Sequence, residues 1–289
     1  MIEDLNRLSP AGKPGGGIGL ARAGKELRLA RIFQGDGRAL IVAMDHAYIF
    51  GPIKGLEKPE RIIEDAIEGG ADAILTTYGV VERYYELMKG RIGVVLRLDG
   101  GGSKYSLEDF GRAERWSLLY EVEDAIRLGA DAVVTTILLG APCEAEALKI
   151  LAKLAAECES WGVPLAAEII PVGRLPASDP EVIASAARIG AEYGADMIKT
   201  NYTGAAETFR KVVETCPIPV LIAGGPRMET DAQVLETVKG VVEAGGAGVF
   251  FGRNVFQSED PRGMVRALRK IIHENSSVEE ALMELRRKD

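Results

Sequence analysis

From residue 39 onward, short runs of β-branched and aliphatic residues alternate with longer segments whose apolar positions recur every three to four residues. The first rhythm belongs to strands and the second to amphipathic helices, so the pattern predicts repeated βα units around a parallel sheet. Strands are expected near 39–45 (ALIVAMD), 73–79 (AILTTYG), 92–99 (IGVVLRLD), 132–140 (AVVTTILLG), 164–170 (PLAAEII), 195–201 (ADMIKTN), 219–225 (PVLIAGG) and 248–254 (GVFFGRN). Helical stretches such as PERIIEDAIEGG, EALKILAKLAAECESWG, DPEVIASAARIGAEYG and DAQVLETVKGVVEAGG separate them. PRGMVRALRKIIHEN follows the eighth strand as its helix, and SVEEALMELRRKD adds an amphipathic extra.

A short repeat strengthens the count. GGADAIL, LGADAVV, YGADMIK and GGAGVFF each set Gly-Ala between a helix and a strand, ahead of the second, fourth, sixth and eighth strands. Glycine supplies the left-handed conformation that ends a helix, and alanine lets the turn pack closely. A four-fold repeat of two βα units closes naturally into a (β/α)8 TIM barrel, whereas an open doubly wound sheet gives no reason for the regularity. The expected division is an N-terminal arm over residues 1–30 and a barrel with its C-terminal helix over 31–289. Within the arm, GKPGGGIG lacks the Gly-Lys-Ser/Thr ending of a phosphate loop and follows no strand. It is read as a leader into the helix AGKELRLARIF.

Composition narrows the function. The 289 residues hold 35 Lys plus Arg against 43 Asp plus Glu, a net charge of −8. An acidic chain is a poor match for a nucleic-acid lattice, though a small anion needs only a few local donors. Three cysteines, Cys143, Cys158 and Cys216, have no CxxC spacing, and the two histidines, His46 and His273, lie far apart. That argues against a Cys/His metal site and against a disulfide framework. The first residues lack the apolar core of a signal peptide, and no apolar run approaches the roughly 20 residues that span a bilayer. A cytoplasmic, reduced protein that touches no membrane is expected.

Candidate chemistry follows from strand parity, because the active site of a barrel lies at the C-terminal ends of its strands and side chains alternate along each strand. Parity turns Ile41, Ala43 and Asp45 inward, with Val95, Arg97 and Asp99, Ala166, Glu168 and Ile170, and Met197, Lys199 and Asn201. On the last strand it groups Val249, Phe251 and Arg253. Asp45, Arg97, Glu168, Lys199 and Arg253 thereby share one rim. A charge inside a barrel costs desolvation unless it is paired or used. A lysine there suits Schiff-base chemistry on a ketone or aldehyde once its amine is neutral, with Asp45 and Glu168 to shuttle protons. The loops AGGPR (223–227) and FGRN (251–254) close the last two strands. Glycine there lets backbone N–H groups approach an anion, and Arg253 adds a charged donor, as in the phosphate cradle of this fold.

With these residues in view, the sequence resembles the class I, Schiff-base aldolases. That family includes archaeal-type fructose bisphosphate aldolase, aminodideoxyheptulosonate synthase and the thiolase acting on phosphorylated autoinducer-2. The matching stretches are MDHAYIFGPIKGL, GADMIKTNYTG, CPIPVLIAGGP and GRNVFQSEDP, and they cover nearly all of the chain from about residue 28. The resemblance implies a barrel that needs no metal or other cofactor, usually assembles as a decamer or other high-order homo-oligomer, and acts on a phosphorylated sugar. It puts the Schiff-base lysine on Lys199, the acid of the first strand on Asp45 with His46 beside it, and phosphate binding on Gly224, Gly225, Gly252 and Arg253. One departure stands out: Ile170 occupies the position of a proton-transferring tyrosine on the fifth strand, so Glu168, on the same face, is expected either to take over that work or to pair with Lys199 or Arg97 as a structural ion pair. GPIKGL resembles the synthase, whereas DHAYIFGP and Arg97 resemble the thiolase. Reversible aldol cleavage is the default expectation and transfer to a second acceptor the main alternative. A barrel that binds phospho-sugars without catalysis is the rival from another class.

Overall fold

The computed structural model describes residues 18–107 and 109–285. Strands β1 (Ala39–Ala43), β2 (Ala73–Thr76), β3 (Gly93–Arg97), β6 (Ala132–Leu139), β7 (Leu165–Pro171), β8 (Met197–Thr200), β9 (Val220–Ala223) and β10 (Gly248–Phe251) close a parallel barrel. Their order around it is β1-β10-β9-β8-β7-β6-β3-β2. These are the eight strands expected, and most end two or three residues early because the rim residues leave the ladder for the loops. Two further strands, β4 (Asp99–Gly100) and β5 (Ser117–Leu118), pair antiparallel above the barrel and were not foreseen. Two residues each give no period to read.

The outer layer comprises α3 (Pro59–Gly69), α4 (Tyr78–Met88), α5 (Val122–Arg127), α6 (Glu144–Trp161), α7 (Pro180–Glu192), α8 (Ala206–Thr215), α9 (Asp231–Glu243) and α11 (Pro261–Glu274). Four-residue helices α2 (Ala47–Phe50) and α10 (Arg253–Phe256) sit at the catalytic mouth, and α12 (Val278–Glu284) packs on α9 and α11. Caps fix several starts. Asp179 accepts from Glu181 and Val182 at the head of α7, where Pro180 needs no donor. Thr230 and Gln233 form a reciprocal capping box on α9. No described helix is long and apolar enough to cross a membrane.

The Gly-Ala repeat has a physical basis that extends one residue further. Gly70, Gly129 and Gly194 adopt positive φ at the helix ends. The aspartate that follows in each Gly-Ala-Asp then reaches sideways to the neighbouring strand. Asp72 accepts from Leu40 N–H at 2.6 Å, Asp131 from Val94 at 3.0 Å and Asp196 from Leu165 at 2.8 Å. Each carboxylate satisfies a buried strand-starting donor that the ladder leaves open. In the fourth copy Gly248 replaces the aspartate, because a Cβ there would lie 1.9 Å from the Ala39 carbonyl oxygen.

Alternation divides the interior into two layers. Ile41, Leu75, Val95, Val134, Ala166, Met197, Leu221 and Phe250 fill the barrel, with Ile32 and Phe33 among them. Leu40, Val42, Ile74, Leu96, Val133, Ile198 and Ile222 face the helices. On β10 the expected parity is reversed: Val249 and Phe251 face the helices and Phe250 points inward. The register explains it, since Phe250 pairs with the inward Ile41. Two adjacent phenylalanines gave the sequence pattern no polar residue with which to break the tie.

The helix expected over 23–33 is α1 (Ile18–Leu29), which starts earlier and lies against α6. Lys25 pairs with Glu159 at 2.7 Å and Asp196 at 3.0 Å, and Arg28 donates to the Gly162 carbonyl at 3.0 Å. The GKPGGG segment lies outside the described residues.

Candidate active site

The catalytic mouth holds a cavity of about 260 Å³, and every residue named above as a candidate lines it. Register sets the central row. Thr136 of β6 pairs with Glu168 of β7, and Glu168 pairs with Lys199 of β8. All three point inward at one level. Lys199 is 5% exposed. Its Nζ lies 2.6 Å from Glu168 Oε1 and 5.5 Å from the centre of the Phe250 ring. Glu168 Oε2 accepts from Arg97 and from Thr136. Burial pushes the Glu168 carboxyl upward, but Lys199 and Arg97 outweigh it and hold the group well below the usual carboxylate range.

Arg97 is the hub of the site. Its Nε donates to Asp45 at 2.9 Å, its Nη1 to Asp99 at 3.1 Å and to Thr136, and its Nη2 to Glu168, with Nη2 also ion-paired to Asp45 at 2.8 Å. Four hydrogen bonds and one ion-pair contact thus engage all three of its nitrogens. Burial opposes its charge, yet Glu168 and Asp45 raise the guanidinium well above its ordinary value. The expectation that Arg97 binds substrate therefore meets a constraint: the side chain lines the cavity with all three nitrogens already held by Asp45, Asp99, Thr136 and Glu168. Asp99, fully buried, also accepts from Trp116 Nε1 and Thr135 Oγ1 at 2.8 Å each. The β4–β5 pair is thus tied to the hub, and Trp116 is fixed over the mouth.

The opposite side is made by glycines. A Cβ on Gly252 would lie 2.5 Å from His46 Cε1 and 2.7 Å from the Ala43 carbonyl oxygen, so only glycine lets β10 close against β1 here. Gly225 has φ +63°, open only to glycine at little strain. Asn254 ties the two loops together: its Nδ2 donates to Gly224 O at 2.7 Å and its Oδ1 accepts from Met228 N–H at 2.9 Å. Arg253 lines the cavity, and its buried Nε has no hydrogen-bond partner. It reaches the rim as the first residue of α10 rather than through strand parity. Burial lowers its pKa from the usual arginine value. His46 packs edge-on to Phe256 at 5.4 Å, and its buried Nδ1 is unpartnered, 3.6 Å from Asp45 Oδ1. Burial lowers its pKa, as do Lys199 and Arg253, against the pull of Asp45, so the ring is neutral at pH 7.

Four residues at the site went unselected by sequence reasoning: Thr136, Trp116, Asn254 and Tyr48. Thr136 followed the same parity as Glu168, but a threonine in a strand carries no chemical flag. Tyr48 lies on α2, inside the DHAYIFGP stretch, and lines the cavity with a hydroxyl that bonds to no described residue. Burial raises its pKa despite the nearby Arg97, so it stays a neutral phenol. Ile170 lines the cavity as well and brings no proton-transferring group there. Among the described residues, no three His, Cys, Asp or Glu side chains gather in a way that could hold a metal ion.

Comparison with known proteins agrees with this geometry. The DeoC/LacD family of aldolases matches residues 39–258. An uncharacterized aldolase of Saccharolobus solfataricus is 37% identical, over 90% of this chain and 98% of the relative. The 2-amino-3,7-dideoxy-D-threo-hept-6-ulosonate synthase 1 of Archaeoglobus fulgidus is 36% identical, over 90% of this chain and 95% of the relative. Fructose-bisphosphate aldolase class 1 of Thermoproteus tenax is 34% identical, over 88% and 97%. A solved archaeal fructose-1,6-bisphosphate aldolase, whose catalytic lysine is covalently bound to a carbinolamine intermediate, superposes with a TM-score of 0.77 at 33% identity. That match covers 85% of this chain and 98% of the solved one.

Proposed function

Because the chain belongs to the DeoC/LacD family of aldolases, we propose that it is a metal-independent class I aldolase whose Lys199 forms a Schiff base with a phosphorylated keto-sugar. Reversible aldol cleavage is its default reaction. The observation that carries this reading is the Lys199–Glu168 pair at 2.6 Å inside the barrel mouth.

An ammonium is no nucleophile, and Glu168 is the acceptor within reach of its proton. The neutral amine adds to the ketone carbon to give a carbinolamine. Return of the proton expels the hydroxyl as water and leaves a protonated imine, which the Glu168 carboxylate pairs with. Asp45 then takes the proton of the hydroxyl two carbons from the imine carbon. The bond between that hydroxyl-bearing carbon and the carbon next to the imine breaks, its electrons pass into the imine as an enamine, and an aldehyde departs. Protonation of the enamine and hydrolysis of the imine free the second product and restore Lys199. Arg97 positions both carboxylates rather than gripping substrate. Gly224, Gly225, Gly252 and Arg253 hold the phosphate, the unpartnered Arg253 Nε being the donor still free. His46 and the Tyr48 hydroxyl hydrogen-bond the sugar.

The similarity to a synthase keeps transfer to a second acceptor as the alternative outcome of the same enamine. We also read the chain as an arm over residues 1–30 and a barrel over 31–289, working as a homo-oligomer in the cytoplasm. The three free, buried cysteines suit a reducing compartment. Exposed Trp161 and Tyr193 offer apolar surface for a second copy.

Borohydride reduction with a panel of phosphorylated ketoses, followed by peptide mass mapping, tests the reading. The expected result is a reduced adduct on Lys199. Sugars that bind without any adduct would instead identify a phospho-sugar sensor.

A further inference from the structure

We propose that the substrate carries its only phosphate on the ketone side of the scissile bond, and that the aldehyde on the other side is uncharged with a compact apolar body. This rests on the aldolase reading of the same cavity and narrows it from phosphorylated sugars in general to monophosphates.

The barrel order supplies the geometry. The glycine loops and Arg253 follow β9 and β10, Lys199 stands on β8, and β6 lies four strands from β10, across the mouth. A substrate joined to Lys199 with its phosphate against β9 and β10 therefore extends its other end toward β7 and β6. That end is lined by Ile49, Phe110, Trp116, Leu138, Ile170 and Val172. These residues belong to one continuous apolar cluster, apart from Ile170, which stands on β7 beside it. A second phosphate placed there would lose its hydration and meet no cation, with only an uncharged donor such as the Tyr48 hydroxyl near the cluster.

The charges point the same way. Among the described residues three cations line the cavity, namely Arg97, Lys199 and Arg253. Arg97 is tied through all three nitrogens to Asp45, Asp99, Thr136 and Glu168, and Lys199 faces Glu168 and the ketone. Only Arg253 retains an unpaired buried nitrogen, at the glycine end. The central cluster itself sets Arg97 and Lys199 against the carboxyl groups of Asp45, Asp99 and Glu168, which disfavours another anion beside it. Basic residues of the neighbouring loops, Lys104, Arg112, Arg115 and Arg174, are exposed and do not line the cavity.

The test compares acceptors at constant donor. Dihydroxyacetone phosphate is supplied with glyceraldehyde 3-phosphate, or with propanal or phenylacetaldehyde, and kcat/KM is measured for each. In the cleavage direction, fructose 1-phosphate is compared with fructose 1,6-bisphosphate. The expected outcome is a preference of at least about tenfold for the uncharged aldehyde and for the monophosphate, equivalent to one anion left without a partner. A bisphosphate or phosphorylated aldehyde that reacts as well or better overturns the proposal. Val172→Arg places a cation at the apolar end and should move the ratio toward the phosphorylated acceptor; an unmoved ratio also counts against it. Borohydride trapping with dihydroxyacetone phosphate runs in parallel. An absent Lys199 adduct overturns the aldolase reading itself, whereas an adduct with bisphosphate preference overturns only the substrate assignment.

Discussion

Glu168 Oε1 lies 2.6 Å from Lys199 Nζ, and the two residues face each other in register across β7 and β8. No loop movement is needed to bring acceptor and amine together, because the sheet ladder itself sets their separation. Glu168→Gln keeps the shape and removes the proton acceptor. Turnover should fall by roughly 10²–10⁴, and the rate of borohydride trapping should fall with it. Lys199→Met should abolish the adduct altogether. Trapping at the wild-type rate in Glu168→Gln would show that the proton leaves by another route.

Arg97 is joined to the buried carboxyl groups of Asp45 and Asp99 and to the partly buried one of Glu168, so its removal strands all of them. Arg97→Met should cost about 3–5 kcal/mol of folding stability, the usual penalty for breaking a buried ion pair from one side. Urea unfolding at pH 7 measures it. The Glu168 carboxyl is depressed in the folded protein, so its contribution is present above its ordinary value of 4.5 and fades as pH falls through the lower folded value. Arg97→Met should weaken that acid dependence along with the stability. A variant as stable as the wild type would mean that the cluster is held by packing alone.

Arg253 Nε is buried without a partner, an arrangement that costs free energy until an anion arrives. Arg253→Met should raise KM for a phosphorylated ketose by about ten- to hundredfold, corresponding to about 1.5–3 kcal/mol for a hydrogen bond to a charged group. The same change should leave the affinity for a non-phosphorylated ketose nearly untouched. Equal losses for both sugars would place the arginine outside the phosphate site.

Tyr48 supplies the cavity with a phenol on α2, whereas β7 offers Ile170. Tyr48→Phe removes one hydroxyl and little volume. The carbon–carbon step should slow by at least tenfold while the Lys199 adduct still forms, because imine formation draws on Glu168. Loss of trapping as well would mean that the hydroxyl already acts in imine formation, since phenylalanine keeps the ring beside Gly100 and Trp116.

Strand parity reached Asp45, Arg97, Glu168 and Lys199 because each is a charge interrupting an apolar run, so one residue fixed the face of the whole strand. It failed on β10, where Val249, Phe250 and Phe251 are all apolar and only the register with Ile41 decides. The Gly-Ala repeat was visible as spacing, but the role of Asp72, Asp131 and Asp196 was not, since their partners are backbone N–H groups on other strands. Asn254 and Trp116 escaped for the same reason. Each acts on a distant loop, and a local period carries no trace of that.

His273, far from the chemistry, sits between two carboxylates at the opposite end of the barrel. Its Nδ1 lies 2.8 Å from Asp36 and its Nε2 2.9 Å from Asp72, which also receives Leu40 N–H and lies 3.8 Å from Arg269. Burial disfavours the imidazolium, but Asp72 and Asp36 outweigh it and raise the pKa above the ordinary 6.5. A raised folded value means that the folded state holds the proton more tightly than the unfolded one. The stabilisation is therefore complete below about pH 6.5 and is lost as pH climbs through the folded value. Urea midpoints measured from pH 6 to pH 9 should decline for the wild type. His273→Gln, which cannot carry the charge, should be less stable at pH 6 and show a flatter profile. A wild-type midpoint that rises over this range would mean that burial outweighs the two carboxylates and the folded state holds the ring neutral.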